Sequence, residues 1–214
     1  MNAGTRIAYL HGFSSSPASI KGQQLARAVE ALPVEVRPEY FMPQLSPRPR
    51  EAVESVRAWV ERTTHVNAAS LTFIGSSLGG FYATHLAEHY GARAVLINPA
   101  IHPEMDLAPY VGVQRNLHTG GPFEFRSEDL ADLASLAVER LTQPERYFLL
   151  VQTGDELLDY RVAVGFYAGA FQFVHGGGDH GYRGFAAQIP AVLRFAGVAA
   201  RFLEAAMPGN IADS

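Results

Sequence analysis

Phe73-Ile74-Gly75-Ser76-Ser77-Leu78-Gly79-Gly80-Phe81 decides how the rest of the chain is read. A short apolar run leads into Gly-x-Ser-x-Gly, and a helical pattern follows. The order predicts a strand, a sharp turn and a helix, with Ser77 at the apex. Such a turn brings strand end and helix start so close that a Cβ at the flanking positions has no room, which is the reason for Gly75 and Gly79. The apex residue is forced into a backbone conformation that costs about 1–3 kcal/mol and persists mainly at functional sites. Its hydroxyl is thereby held over a helix N-terminus, where negative charge is favoured. Ser76 does not fit the pattern, because Ile74 stands where the first glycine would be required.

The segments on either side repeat the strand–helix theme. Ile7-Ala8-Tyr9-Leu10 reads as a buried strand ended by His11-Gly12, and Leu25, Ala28, Val29 and Leu32 mark the inner face of a helix. Val34 to Arg37 alternates and predicts a more exposed strand. Pro43, Pro47 and Pro49 mark a loop, and Glu51 to Thr64 a second helix with Trp59 inward. Leu71 to Ile74 feeds the turn, and Leu78 to Tyr90 forms its helix, stopped at Gly91. Ala94 to Ile97 is the next strand. From Ile101 to about Phe125 no period is evident. Ser127 then reads as an N-cap for a helix whose stripe runs from Leu130 to Leu141. Tyr147 to Val151 and Phe171 to Val174 are strands separated by a helix from about Asp159 to Ala168. Pro190 opens a last helix with Leu193, Ala196, Ala200 and Leu203 inward, and 208–214 is a tail. This alternation predicts one domain over 1–214, built on a parallel sheet with helices on both faces. The irregular stretch makes 101–145 either a lid-like insertion or a plain loop and crossover helix.

Composition narrows the function classes. The chain has 214 residues, 48% hydrophobic and 18% charged, with a formal net charge of −4. No basic block tracks a phosphate backbone, so nucleic acid is not an expected partner. Lys21 is the sole lysine, and there are no cysteines, which removes disulfides, thiolate metal sites and a cysteine nucleophile. The first residues do not read as a signal peptide and no apolar run is long enough to span a membrane, so a cytoplasmic protein is expected. Oligomeric state leaves no mark in the sequence.

A serine hydroxyl becomes a nucleophile when a base lies within hydrogen-bond reach and a third group orients the base. Ser77, Asp155 and His180 occur in the order nucleophile, acid, histidine, and the last two each follow the end of a predicted strand. The carboxyl ends of parallel strands share one edge of the sheet, so the three can meet there. Backbone N–H groups of Leu78 and Phe13 are placed to receive an oxyanion. Asp159 and Asp179 are the alternative acids, and His175 is the alternative base. His11 fits a brace for the loop after the first strand. His85 and His89 have a metal-compatible spacing but no third ligand, so no metal is expected, and no cofactor is implied because the chemistry needs only water. Phe41, Tyr82, Tyr110, Phe123 and Phe125, with Met105, are candidates for a pocket lining or for core, and Arg115 and Arg126 for an anionic group or for solvent.

Several stretches together resemble a known family. They are Tyr9-Leu10-His11-Gly12-Phe13 with Ser15-Ser16-Pro17, Gly75 to Thr84, Asn98-Pro99-Ala100, Gln152 to Glu156 with Leu158-Asp159-Tyr160-Arg161, and Gly177-Gly178-Asp179-His180. The chain is similar in these to the small bacterial esterases of the YqiA/YcfP type (UPF0227), within the α/β-hydrolase superfamily. The resemblance implies an α/β-hydrolase fold and a carboxylic-ester hydrolase with Ser77, Asp155 and His180 as triad, acting on a small-molecule acyl ester. A thioester substrate, acyl transfer or carbon–carbon hydrolysis would use the same groups. A non-catalytic binding scaffold is the alternative outside enzymology.

Overall fold

Among the described residues, a sheet of six parallel strands forms the centre of the molecule. The computed structural model describes residues 4–62 and 67–203. Its strands are β1 (Arg6–Leu10), β2 (Glu39–Phe41), β3 (Leu71–Ser76), β4 (Arg93–Ile97), β7 (Tyr147–Gln152) and β8 (Phe171–His175), lying in the order β2-β1-β3-β4-β7-β8. β5 (Gly112–Arg115) and β6 (Pro122–Phe125) form a separate antiparallel hairpin. The helices are α1 (Ile20–Glu30), α2 (Pro49–Val60), α3 (Leu78–Tyr90), α4 (Pro103–Asp106), α5 (Ser127–Leu136), α6 (Tyr160–Phe166) and α7 (Ile189–Phe195).

The central strands are mostly apolar because both of their faces are covered. Side chains alternate between two cores, as a pleat requires. Ile7, Tyr9, Ile74, Val95, Ile97 and Leu150 pack under α1 and α7. Ala8, Leu10, Phe73, Leu96, Leu149 and Val151 pack under α2, α3, α5 and α6. This is the α/β-hydrolase arrangement that the sequence predicts.

Four local expectations are corrected. The strand expected at Val34–Arg37 is a turn, closed by the Val36 N–H to the Pro33 carbonyl at 3.0 Å, and Val34 is exposed. The strand is instead Glu39–Phe41, because Glu39 is fixed from afar: its carboxylate accepts from Arg6 and from the Trp59 indole, each at 2.8 Å. Helix α2 starts earlier than predicted, with Pro49 in its first turn, and ends at Val60, short of the expected end at Thr64, which lies outside the described residues. The N-cap of α5 is Arg126 and not Ser127, since the Asp129 carboxylate accepts from the Arg126 N–H at 2.7 Å; the helix stops at Leu136, short of Leu141. The last helix ends at Phe195, because Gly197 takes a φ of +100°, and Ala200 is exposed. The tail at 208–214 lies outside the described residues. The stretch without a period contains α4 and the β5–β6 hairpin.

Candidate active site

Ser77 stands between β3 and α3 with φ +57° and ψ −123°. Its backbone is held on both sides: the N–H donates to the Ile97 carbonyl at 3.0 Å, and the carbonyl accepts from Gly80 at 2.9 Å and Ala100 at 3.1 Å. A Cβ on Gly75 would lie 2.0 Å from the Gly79 carbonyl oxygen. A Cβ on Gly79 would lie 2.0 Å from the Leu10 carbonyl oxygen, so the second glycine answers to the end of β1. The turn is therefore crowded by backbone on two sides, and no side-chain repacking can relieve it.

Three side chains far apart in sequence meet at this edge. His180 Nε2 lies 3.0 Å from Ser77 Oγ, and His180 Nδ1 lies 3.0 and 2.9 Å from the two Asp155 carboxylate oxygens. A carboxylate only accepts, so Nδ1 carries the proton and Nε2 is left to accept from the serine hydroxyl. The Asp155 side chain is 2% exposed. Burial opposes its ionisation, but hydrogen bonds from His180 and from the Leu158 and Leu157 N–H groups outweigh burial and hold the carboxyl below its ordinary range. The alternatives are engaged elsewhere. Asp159 caps α6 through the Arg161 N–H, Asp179 pairs with Arg183 at 2.6 Å, and His175 is exposed on the edge strand β8.

Two buried amides hold the segment that carries His180. Gln152, 1% exposed, accepts at Oε1 from the Asp179 and Arg183 N–H groups at 3.1 and 2.8 Å, and donates from Nε2 to the Arg183 carbonyl at 2.8 Å. Asn98, with φ +41°, donates to the Asp179 and His180 carbonyls at 3.0 and 3.2 Å and accepts from the Gln152 N–H at 3.0 Å. Glu156 accepts from the His180 N–H at 2.9 Å, and Lys21 donates to the Gly181 carbonyl at 2.7 Å. Burial lowers the Lys21 ammonium to about 8 against the pull of Asp179 and Asp155. Sequence reasoning assigned none of these four a role. The available signal was a polar amide, Asn98 or Gln152, closing an otherwise apolar strand run.

The loop after β1 passes directly beside the serine. A Cβ on Gly12 would lie 3.2 Å from Ser77 Cβ and 3.7 Å from its Oγ. Phe13 follows in this loop, and Leu78 opens α3. His11 is 4% exposed and braces the loop: Nδ1 donates to the Gly12 carbonyl at 3.0 Å and Nε2 accepts from the Leu45 N–H at 3.1 Å. Burial pushes its pKa down, which keeps the ring neutral. The tip of the hairpin docks on the same loop, with Asn116 Nδ2 donating to the Ser15 carbonyl at 2.6 Å and the Leu117 N–H to the Ser14 carbonyl at 2.7 Å.

A cavity of about 470 Å³ opens here, with Phe13, Leu78, Tyr82 and Phe123 in its wall. Phe41, Tyr110 and Phe125 are not in that wall. Phe41 stacks on Trp59 at 4.9 Å in the core. Phe125 is 1% exposed and packs edge-on against Phe13 at 5.1 Å, where Tyr110 also touches that ring at 6.1 Å. Arg115 bonds the Gly120 carbonyl and Arg126 pairs with Glu124, so neither faces the cavity. Met105 lines a second, smaller hollow beyond Pro99. Among the described residues no group of three or more potential metal ligands occurs, and His85 bonds the Leu136 carbonyl at 2.9 Å. Nor, among them, is any helix long and apolar enough to cross a membrane.

Known proteins show the same architecture. A provisionally assigned hydrolase from Agrobacterium vitis S4 superposes with a TM-score of 0.69 at 16% identity, over 92% of this chain and 88% of its own. The ferulic-acid-bound Est1E of Butyrivibrio proteoclasticus gives 0.64 at 13% identity, over 89% and 87%. At such identities the likeness establishes the fold. In sequence, a UPF0227 protein of Serratia proteamaculans (strain 568) is 27% identical over 161 residues, 73% of this chain and 79% of that protein. The model of the uncharacterised protein family UPF0227 matches residues 6–197, and the chain belongs to that family.

Proposed function

We propose that the protein is a serine hydrolase that cleaves carboxylic esters through an acyl-enzyme intermediate. The observation that carries this reading is the continuous chain of hydrogen bonds from Ser77 Oγ through His180 to Asp155. His180 Nε2 takes the hydroxyl proton as Ser77 Oγ attacks the acyl carbonyl, and Asp155 stabilises the imidazolium that results. The oxyanion forms beside the Leu78 and Phe13 N–H groups; one such donor is worth about 2.7–4 kcal/mol in the transition state. His180 returns the proton to the leaving group, and water repeats the sequence to release the acid. Both donors belong to the main chain, so side-chain substitution at Phe13 or Leu78 leaves them in place. In this reading the chain works as one domain, and the insertion at 101–145 caps the site on its cavity side.

The shared fold of Est1E and the Agrobacterium protein supports a hydrolase without naming its substrate. A non-catalytic scaffold has no use for an orienting carboxylate that is itself buried and fully hydrogen-bonded. Release of p-nitrophenol from p-nitrophenyl butyrate tests the reading. The wild type is expected to turn over and Ser77→Ala to be inert at an unchanged melting temperature. Equal rates in the two proteins would refute it.

A further inference from the structure

Two hollows open at the carboxyl edge of the sheet, one on each side of β3 in the strand order, and their chemistry differs. The larger, about 470 Å³, is built from the loops after β1 and β2, the start of α3 and the hairpin. This volume is in the range of pockets that enclose a drug-sized ligand, about 300–1,000 Å³. Phe13, Leu45, Leu78, Tyr82 and Phe123 give it apolar walls, and Gln44, Ser14 and Asn116 polar ones. Among the described residues its lining holds no Asp, Glu, Lys or Arg; burial keeps its imidazole, His11, neutral and its phenol, Tyr82, protonated. The smaller hollow, about 190 Å³, lies after β4 and β7, on the side of Asp155. Ile101, Met105, Leu157 and Val162 line it together with the carboxylates Asp106 and Asp159. Beside it the Arg161 guanidinium lies 3.7 Å from Asp159, and the His102 ring lies 3.8 Å from Glu104.

The direction of the reaction assigns the two hollows. His180 delivers the proton to the leaving group, so the leaving group departs on the histidine side. The strand order puts β7 and β8, which carry Asp155 and His180, on the side of the smaller hollow, with β1 and the larger hollow opposite. We propose that the acyl group of the substrate occupies the cavity bounded by Phe13, Leu45 and Phe123, and the alcohol or thiol lies over the trough bounded by Met105, Asp106 and Leu157. The preferred substrate then pairs an uncharged acyl group with an uncharged or cationic leaving group. A carboxylate at the acyl terminus would be desolvated with no cation to meet it, and a polyanionic leaving group such as coenzyme A would face carboxylates. This deepens the hydrolase reading and rests on it.

Matched thioesters test the proposal with one thiol reagent. Hexanoylthiocholine and hexanoyl-coenzyme A share the acyl group and the scissile bond and differ in leaving-group charge. The expected kcat/KM ratio is about tenfold in favour of thiocholine, shrinking with salt and on Asp106→Lys. On the acyl side, p-nitrophenyl hexanoate should exceed the mono-p-nitrophenyl ester of adipic acid by about tenfold. Filling the cavity should lower the hexanoyl-to-acetyl ratio about tenfold in Leu45→Trp. Thr119→Trp, at the exposed hairpin tip that also lines the cavity, should lower the same ratio and does not endanger the core. Coenzyme A thioesters cleaved as well as or better than thiocholine esters, or a chain-length ratio untouched by both tryptophans, would overturn the assignment while leaving the hydrolase reading intact. Turnover of every ester unaffected by Ser77→Ala would overturn both.

Discussion

The turn at Ser77 and the hairpin of β5 and β6 both border the same cavity, yet they are built on opposite principles. In the turn every residue from Leu71 to Gly80 is buried except Ser77, and backbone touches backbone. Residue type is therefore dictated position by position. In the hairpin the strands are four residues long, alternate between exposed and inward positions of which only Phe125 is fully buried, and are anchored by Phe123 and Phe125 against Phe13 and by Asn116 on the Ser15 carbonyl. Most of its positions face water, and their identity is loosely constrained. The comparison teaches that this molecule commits its geometry where chemistry is proposed and leaves freedom where the substrate would be selected.

Perturbing each region should break or sharpen that contrast. The largest effect belongs to Ser77→Ala, where turnover is expected to fall about 10⁴-fold or more with stability retained, measured by steady-state rates beside a thermal melt. Gly79→Ala should follow: its methyl would collide with the Leu10 carbonyl, and a loss above about 4 kcal/mol is expected in urea denaturation. Gln152→Ala leaves the Asp179 and Arg183 N–H groups without their acceptor, so kcat should fall about 100-fold with a smaller change in KM. Gln152→Glu keeps that acceptor and should recover part of the loss; equal rates in the two variants would show that Gln152 does not act through the position of His180. At the hairpin, Val113→Ser, on a residue 77% exposed, should change stability by no more than about 0.5 kcal/mol and leave turnover alone. A large effect there would erase the contrast between the two regions.

The smallest effect concerns pH. The Asp155 carboxyl titrates below its ordinary 3.8 in the folded protein. Its contribution to stability is complete above the unfolded value and is lost as pH falls through the lower folded value. Denaturation midpoints measured down through this range should fall less steeply in Asp155→Asn than in the wild type.

How far the sequence could be read follows from the same contrast. β1, β3, β4 and β7 are legible as short apolar runs because helices cover both faces of each. Ser77, Asp155 and His180 are legible as a candidate constellation because a strand end in a parallel sheet places its loop at a known edge. β2 was misplaced because its position is set by Glu39 meeting Arg6 and Trp59, contacts that span 33 and 20 residues. The hairpin was illegible because its strands have neither the length nor the apolar face that marks a strand. Phe41 and Phe125 were legible as large aromatics but not as core, since a ring in a loop reads the same whether it lines a cavity or fills one. Gln152 and Asn98 bond mostly to main-chain atoms of a distant loop, and no local pattern announces such partners.

Covalent labelling by a fluorophosphonate, followed by intact mass and peptide mapping, bears most directly on Ser77 as the nucleophile. One adduct is expected per chain, located on Ser77, absent in Ser77→Ala and formed far more slowly in His180→Ala. A folded wild-type protein that takes no adduct, or takes it on Ser76, would contradict the account.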